Sequence, residues 1–279
     1  DLPILKLLNK KIICNIAHGS EARPPYINGA YINSLSNPIT KGELSLIKKL
    51  SKTTKRRCSI IEKYADIVIG APLTSHFLEK SFINIFHLGL IFRELSVSTI
   101  KNHNQTNDVR ILHCPSNPTV KGTSLIRHVI ESLKNKGHKI DFIELINQPN
   151  SAVLQELNLC DFIIDQAYSD FPLPGFATEA AWFGKPSVVG GYGWQALQQL
   201  IPSKVFPPSY ICHPNNLEAA VETLIIDKKY RTNLGNQAQN FVKSNWSIQK
   251  CTDRYLQLIN GPIPEDWWST PCHPPYLQG

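Results

Sequence analysis

The sequence GFATEAAWFGKPSVV, residues 175–189, decides the fold class of this chain. Its small residues open a short helix that carries Glu179 near the start, and Gly184, Lys185 and Pro186 then lead into an apolar strand. We expect Glu179 on the first helical turn, where its carboxylate can accept hydrogen bonds from a diol such as a ribose. The backbone N–H groups and the positive end of the helix favour an anion such as a diphosphate. The stretch therefore predicts an α/β unit with a nucleotide site at the start of the helix.

Strands alternate with helices from residue 108 to residue 260, and this alternation predicts a parallel, doubly wound sheet. Apolar runs predict strands at residues 109–115, 138–146, 161–167, 186–191 and 208–214. Apolar periodicity predicts helices at residues 122–137, 151–160, 175–184, 216–245 (as two helices) and 247–260. Ligands of such sheets bind at the carboxyl ends of the strands, so we expect the functional residues there.

A second informative stretch is HCPSNPTVKGTSLI, residues 113–126. A strand ends, a polar loop follows, and Lys121, Gly122 and Thr123 open a helix. A lysine at this place can reach a phosphate that lies beside the helix N-terminus. The backbone N–H groups of Gly122 and Thr123 are further candidate phosphate ligands.

Both stretches resemble the donor-binding motifs of GT-B glycosyltransferases, most closely those of the retaining family 4 (group 1) enzymes. The first is similar to the pattern G-x-x-x-x-E-A-x-A-x-G-K-P-V-V, and Lys121-Gly122 is similar to the KG motif. The resemblance implies two Rossmann-like domains with parallel sheets. It also implies metal-independent, retaining transfer of a hexose from a nucleoside-diphosphate sugar to a glycan or lipid-linked acceptor, as in polysaccharide biosynthesis. No cofactor is expected besides the sugar nucleotide, which is a co-substrate.

The resemblance assigns donor-binding roles to several residues. Lys121 is expected to bind the diphosphate, and Ser116 stands where many members carry an Arg as a second cation. The turn that opens the glutamate helix, together with the residues beside Lys121, completes the expected donor site: Gly175, Phe176, Ala177, Gly122 and Thr123.

The expected catalytic residues are Glu179, Asp170 and His18. Many members carry a further acidic residue eight positions before the helix glutamate, and here that position is Phe171. The neighbouring Asp170 is the substitute we consider, unless the loop has its own geometry. His18, in IAHGSEARPP, is similar to the histidine of an H-G-S-D-x-R stretch, with Glu21 in place of Asp, and would hydrogen-bond the transferred sugar. A structural role at a strand end is the alternative for His18.

The predicted domain boundaries follow from these patterns. Residues 1–107 predict an incomplete acceptor-side domain with strands at Lys11–Ala17 and Asp66–Gly70, helical sequence between them, and a linker within 71–107. Residues 108–260 predict the donor-binding domain, and residues 261–279 a Pro-rich tail. Because the chain begins at Asp1 and contains no Met, we expect an N-terminally truncated protein.

Positive charge is concentrated in the first part of the chain. Residues 1–108 hold 15 Lys and Arg against 8 Asp and Glu, whereas the rest is balanced. Much of the excess lies between Lys48 and Arg57, in a segment with apolar positions near helical spacing, which predicts a basic amphipathic helix. This helix either presents a solvated face or contacts an anionic membrane surface or acceptor. Nucleic acid is not expected as a partner, because no aromatic residues are interleaved with the basic ones.

Other function classes fit poorly. The sequence has no Walker loop, no G-x-S-x-G, no H-E-x-x-H and no histidines at metal-ligand spacing. The seven cysteines form no C-x-x-C pairs, which favours reduced thiols and a cytoplasmic protein, with or without peripheral membrane contact. In GGYGWQAL, Tyr192 or Trp194 is a candidate for stacking on a base. Two rival functions stay open, namely a nucleotide-sugar epimerase of the same fold and a non-catalytic nucleotide- or carbohydrate-binding relative.

Overall fold

A computed structural model of the chain describes residues 1–17, 21–23, 25, 40–75, 77–92 and 108–271. Its strands are β1 Ile13–Asn15, β2 Ile67–Gly70, β3 Phe82–Asn84, β4 Val109–His113, β5 Ile140–Glu144, β6 Phe162–Gln166, β7 Ser187–Gly190, β8 Tyr210–Cys212 and β9 Trp268–Ser269. Its α-helices are α1 Leu2–Leu7, α2 Lys41–Tyr64, α3 Ile85–Leu88, α4 Pro118–Lys121, α5 Thr123–Asn135, α6 Asn150–Leu159, α7 Gly175–Trp182, α8 Trp194–Leu200, α9 Leu217–Ile226, α10 Lys228–Asn245 and α11 Ile248–Asn260.

The chain divides into two compact units. Unit 1 contains the described residues within Asp1–Gly89, Gln195–Phe206 and Thr252–Gly279, and unit 2 those within Leu90–Trp194 and Pro207–Cys251. Both units hold parallel strands with helices between them along the chain. The predicted α/β class with parallel sheets is therefore confirmed.

The sheet of unit 2 has five parallel strands in the order β5-β4-β6-β7-β8. From β4 the chain moves outward to β5 on one side, and from β6 it moves outward through β7 and β8 on the other. The strand order therefore reverses between β4 and β6, and the carboxyl ends of these two neighbours form the switch point at which such sheets bind ligands.

Helix α5 shows why the strands and helices of unit 2 form where the sequence predicts them. Ile126, Val129, Ile130 and Leu133 follow the spacing of one helical face and are all buried in the core of the unit. Gly122, with a φ of 75°, precedes the helix, and Gly137, with a φ of 95°, follows it. The same core includes Phe162 and Ile164 of β6, a strand whose five residues are all buried, as expected of a central strand covered on both faces.

The sheet of unit 1 has the order β1-β2-β3-β9, with β1, β2 and β3 parallel and β9 antiparallel to β3. Helix α2 begins with a capping box between Thr40 and Glu43, in which each side chain accepts a hydrogen bond from the other's backbone N–H. The predicted basic helix is thus confirmed as part of α2. Its buried positions are Ile47, Thr54, Cys58 and Glu62, and its basic residues from Lys48 to Arg57 are all exposed.

The sequence predicts no strand or helix in residues 71–107, whereas the structure forms a strand and an α-helix in the first part of this range. Residues Phe82–Asn84 form β3, a buried strand paired with β2, and Ile85–Leu88 form α3. The run SFINIF is short, and β3 has only three residues before α3 begins at Ile85, so the run offers no periodic signal of its own. In the segment predicted to be a Pro-rich tail, Trp268 and Ser269 pair with β3.

No helix in the described part of the chain is long and apolar enough to cross a membrane. The six cysteines of that part, at positions 14, 58, 114, 160, 212 and 251, are free thiols.

Candidate functional site

A tight turn carries Lys121 and Gly122 from the carboxyl end of β4 into α5. Asn117 opens α4 by accepting hydrogen bonds from the backbone N–H groups of Thr119 and Val120. Gly122 has a left-handed backbone, and a Cβ at this position would lie 2.7 Å from Ala167 and 2.7 Å from the Tyr168 ring. Only glycine fits here, because both the backbone angle and the close approach to the loop after β6 exclude a side chain.

Lys121 forms an ion pair with Asp165 at this turn. The Lys121 Nζ lies 2.9 Å from Asp165 Oδ1, and the carboxylate is 0% exposed while the lysine side chain is 17% exposed. The backbone N–H of Ala167 donates to the Lys121 carbonyl at 2.9 Å. The lysine expected at the diphosphate is therefore placed at the switch point of the sheet, with its ammonium bound to the carboxyl end of β6.

The side chain of Thr123 has a structural partner. Its hydroxyl lies 2.9 Å from His113 Nε2, and His113 Nδ1 lies 2.8 Å from the carbonyl oxygen of Ile164. Burial lowers the pKa of His113, so the ring is neutral, donates from Nδ1 to the carbonyl and accepts the Thr123 hydroxyl proton at Nε2. The hydroxyl thereby links α5 to the ends of β4 and β6. The backbone N–H of Gly122 donates to the Thr119 carbonyl at 3.3 Å.

Glu179 is near enough to the Lys121–Asp165 pair to feel the charge of Asp165, but it does not lie on the first helical turn. Helix α7 begins at Gly175 after Pro174, so Glu179 is the fifth helical residue, and the expectation of a first-turn carboxylate is wrong. The first turn is instead formed by small and apolar residues. Glu179 Oε1 accepts a hydrogen bond of 3.4 Å from Asn150 Nδ2 at the start of α6.

The pKa of the Glu179 carboxyl depends on its burial and on the residues around it. Burial raises the pKa of Glu179, the hydrogen bond from Asn150 lowers it, and the negative charge of Asp165 raises it. The pKa of Cys114, directly after β4, is raised by burial and then by the charges of Glu179 and Asp165. Glu179, Asp165, Lys121 and Cys114 are therefore electrostatic neighbours at the carboxyl ends of β4 and β6.

Asp170 has a left-handed backbone with a φ of 50° and is 2% exposed. Its Oδ1 accepts a hydrogen bond of 2.7 Å from the backbone N–H of Gly193. Gly191 packs so closely that a Cβ there would lie 2.2 Å from Asp170 Oδ1. The carboxylate is therefore engaged in joining the loop after β6 to the loop after β7.

The remaining predicted donor residues differ in their exposure. Ser116 and Gly175 are exposed and Phe176 is half-buried, whereas Ala177 is fully buried in the core. The structure thus leaves the first three within reach of a ligand. It gives Ala177 a packing role on the inner face of α7. His18 lies outside the described residues.

The aromatic residues after β6, β7 and β8 pack on one another. The rings of Tyr168 and Tyr192 stack at 5.9 Å with an interplanar angle of 8°, and the ring of His213 meets Tyr192 edge-on at 5.4 Å. Tyr192, which the sequence offers as a base-stacking residue, is thereby part of a protein aromatic cluster. Trp194, the other candidate, is half-buried and begins α8, a helix that the sequence analysis does not predict.

Two residues of the site are missing from the sequence-based prediction, namely Asp165 and Asn150. Asp165 is the one charged residue in the otherwise uncharged strand FIIDQ, and a carboxylate in a buried strand is the signal that identifies it. Asn150 has no comparable signal, because a polar residue at a helix start is common. Across the described residues, no group of three or more His, Cys, Asp or Glu is arranged to hold a metal ion.

Neither a protein-family model nor a curated protein matches the chain. Its fold nevertheless matches solved structures of GT-B glycosyltransferases. The chain resembles Anabaena Alr3699/HepE, solved in complex with UDP and glucose, at a TM-score of 0.56 and 13% identity, over 94% of this chain and 74% of that one.

Two further solved structures show the same likeness. Sucrose-phosphate synthase from Thermosynechococcus elongatus matches at a TM-score of 0.52 and 12% identity, over 92% of this chain and 69% of that one. A single-residue mutant of S. aureus TarM, in complex with fondaparinux, α-GlcNAc-glycerol and UDP, matches at a TM-score of 0.50 and 12% identity, over 92% of this chain and 53% of that one. The predicted GT-B fold with Rossmann-like units is confirmed.

Proposed function

We propose that the chain is a glycosyltransferase that moves a hexose from a nucleoside-diphosphate sugar to a glycan or lipid-linked acceptor, with retention and without a metal. One observation carries the proposal. Lys121 presents a partly exposed ammonium at the switch point of the unit 2 sheet, beside the start of the 13-residue helix α5. Cationic groups and helix N-termini together suit a diphosphate.

The roles of the site residues follow from their positions. The transfer produces a diphosphate leaving group and an oxocarbenium-like sugar, so the protein stabilises negative charge on one side of the reacting bond and positive charge on the other. Lys121 and the backbone N–H groups at the start of α5 meet the diphosphate. Glu179, with its half-buried carboxylate, accepts hydrogen bonds from the ribose, and Gly175 and Phe176 contribute to the donor site from the first turn of the same helix. His18 lies outside the described residues, and its proposed contact with the transferred sugar rests on the sequence resemblance alone.

Asp170 acts through the loop that it holds and not on the sugar. Its carboxylate is buried and binds the backbone of Gly193. We assign it the task of fixing the loop that precedes α7, so that Glu179 keeps its position. Tyr192 supports the same region by packing between Tyr168 and His213.

The solved structures that the chain resembles support a nucleotide donor. HepE is solved in complex with UDP and glucose, and the TarM mutant is solved in a complex that includes UDP. We carry the nucleoside-diphosphate sugar, and not a particular sugar or base, from these proteins to the present chain.

The acceptor side of the proposal uses helix α2. Its exposed basic face, from Lys48 to Arg57, is flanked by exposed Leu46 and Ile60. Basic and apolar groups together favour the surface of an anionic membrane. We propose a cytoplasmic protein that contacts such a surface peripherally, where a lipid-linked acceptor would be found.

The test is a panel of UDP, GDP, ADP and dTDP in thermal unfolding, followed by labelled sugar nucleotides with product analysis. Ligand binding to the folded state raises the unfolding temperature. Release of the diphosphate with transfer or hydrolysis supports the proposal. Interconversion of epimers would instead support an epimerase. Binding without turnover would support a non-catalytic relative, which the presence of Ser116 in place of an Arg favours as the second candidate.

A further inference from the structure

Asp165 is a charged residue in a position where an apolar residue would suit the fold better. It lies in β6, whose other residues are Phe162, Ile163, Ile164 and Gln166, and the whole strand is buried. Removing a carboxylate from water is costly unless it is paired and hydrogen-bonded. Well-packed apolar residues often replace such pairs without loss of stability. The fold alone therefore does not account for a carboxylate at this position.

The backbone of β6 is irregular at Asp165. In the pairing with β7, Ile164 lies opposite Val188 and Gln166 lies opposite Val189, so Asp165 is an extra residue without a pairing partner on that strand. Such bulges redirect a side chain and are common beside functional sites. The irregularity coincides with the carboxyl end of the strand, where the switch point lies.

The side chain at this irregularity binds Lys121. The Asp165 Oδ1 lies 2.9 Å from the Lys121 ammonium, while Oδ2 lies 3.5 Å from the Gln166 side-chain amide. Within the described part of the chain, Lys121 is the cation that forms an ion pair with Asp165. The backbone of Lys121 is fixed as well, through the hydrogen bond from Ala167.

We propose that Asp165 is the positioning residue for Lys121, holding its ammonium at the switch point so that a donor diphosphate meets a preplaced cation. This inference rests on the proposed function. A lysine has a long, flexible side chain, and much of its rotamer freedom is lost when its end is fixed. Asp165 fixes that end in the folded protein, before a ligand binds.

The pair leaves the ammonium able to bind a ligand. Lysine has three N–H donors, and the contact with Asp165 uses one of them. Since Asp165 is fully buried and Lys121 is partly exposed, a phosphate reaches the lysine without touching the carboxylate. Asp165 therefore acts through Lys121 and does not contact the substrate.

A double-mutant cycle tests this role, because it measures how far the effect of Lys121 on ligand binding depends on Asp165. The variants are Lys121→Ala, Asp165→Asn and the double variant, and the probes are UDP, ADP and dTDP, measured by titration calorimetry. We expect Lys121→Ala to weaken the tightest of these diphosphates about tenfold or more in the wild-type background. In the Asp165→Asn background, where the ammonium is no longer held, the same change should cost less than about threefold.

A matched control uses the other carboxylate of the same strand region. Asp161 precedes β6 and accepts a hydrogen bond of 2.8 Å from the backbone N–H of Arg110, at the end of the strand away from Lys121. In an Asp161→Asn background, Lys121→Ala should keep its full effect. Lys121→Gln replaces Lys121→Ala if the latter unfolds, since a glutamine amide can still donate to Asp165.

The outcomes are distinct. If Lys121→Ala weakens diphosphate binding equally in the wild-type and Asp165→Asn backgrounds, the positioning role is overturned while the proposed function stays intact. A wild-type protein that binds none of the three diphosphates would overturn the proposed function, and with it this inference. A smaller cost in the Asp161→Asn background as well would show that the effect arises from a weakened fold, and it too would overturn the positioning role.

Discussion

The carboxylate of Asp170 accepts a hydrogen bond of 2.7 Å from the backbone N–H of Gly193, and this contact joins the loops that follow β6 and β7. The backbone N–H of Ser169, in the loop after β6, also donates to the carbonyl of Gly190, the last residue of β7, at 2.6 Å. A Cβ at Gly190 would lie 2.2 Å from the Ala167 carbonyl oxygen. The segment that leads into the Glu179 helix is therefore held by close backbone contacts at its start.

Replacing Asp170 by Ala should destabilise unit 2. The change removes a charge-assisted hydrogen bond to a buried N–H, which typically costs about 1.5–3 kcal/mol. It also places an alanine at a φ of 50°, where asparagine and aspartate are better tolerated. Urea unfolding of Asp170→Ala should show this loss, and Asp170→Asn should retain most of the stability. Equal losses for both variants would contradict the hydrogen-bond role.

Replacing Gly122 by Ala should cost more than replacing Gly137 by Ala. Both glycines have positive φ, so both alanines suffer the left-handed backbone penalty of about 1–2 kcal/mol. Gly137 has open space around its Cβ position, whereas Gly122 faces Ala167 and Tyr168 at 2.7 Å. The crowding should add about 1–3 kcal/mol. Chemical unfolding of the two variants measures the difference, and equal losses would show that the loop after β6 yields without cost.

The sequence predicts the sheet of unit 2 well because its strands and helices carry local signals. Helix α5, for example, has a regular apolar face and a glycine at each end. Strand β3 lacks such a signal, because it has only three residues, one of them polar, and leads directly into α3. Helix α8 is missed because it directly follows Gly191 and Gly193, and glycines in this spacing predict a loop.

The site is predicted less completely than the fold. Lys121 and Glu179 stand in recognisable local motifs, but their partners Asp165 and Asn150 come from other strands and helices. Which residues meet depends on the strand order and on the irregularity in β6, and neither is encoded in a local pattern. The start of α7 at Gly175 agrees with the predicted helix, and because 3.6 residues complete one turn, Glu179 as the fifth residue lies beyond the first turn.

Glu179→Gln should stabilise the protein above pH 4.5 while weakening nucleotide binding. The pKa of Glu179 is raised above its ordinary 4.5. The native state therefore binds this proton more tightly than the unfolded state does, and the resulting stability is present below pH 4.5 and lost as the pH rises through the raised pKa. Glutamine keeps the shape without the buried charge. Denaturant unfolding at pH 4 and pH 8 should show a gain only at pH 8.

The same variant tests the role of Glu179 toward the ribose. Loss of a charged acceptor should weaken a bound nucleotide by about 1.5–3 kcal/mol, measured by calorimetry at pH 8. A more stable protein with weaker binding is the signature of a functional carboxylate. Unchanged nucleotide affinity would remove Glu179 from the site, and lower stability at pH 8 would contradict the direction of the pKa shift.

Thr123→Val should destabilise unit 2 through His113. The hydroxyl of Thr123 is the partner of the buried His113 Nε2 at 2.9 Å, and valine leaves that nitrogen without it. An unsatisfied buried acceptor costs about 1–3 kcal/mol. Thr123→Ser keeps the hydroxyl and should lose much less. The free energy of unfolding of both variants, measured at pH 8 where the ring is neutral, distinguishes the hydrogen bond from methyl packing.

The basic face of α2 should bind anionic membranes. Each basic residue near such a surface contributes about 1 kcal/mol, and the attraction should fade with salt, because charges are screened beyond about 8–10 Å at physiological ionic strength. Co-sedimentation with phosphatidylserine-containing vesicles at low and high salt measures the fraction of protein bound.

Four exposed residues should be changed together to Gln, namely Lys52, Lys55, Arg56 and Arg57. The matched control removes the same charge from exposed lysines of unit 2, namely Lys134, Lys139, Lys228 and Lys229. The first set should abolish binding and the second should not, since net charge changes equally in both and only the location differs. If both sets reduce binding alike, attraction depends on net charge alone. If the wild-type protein ignores anionic vesicles even at low salt, the face is simply solvated, and a soluble acceptor becomes the better proposal.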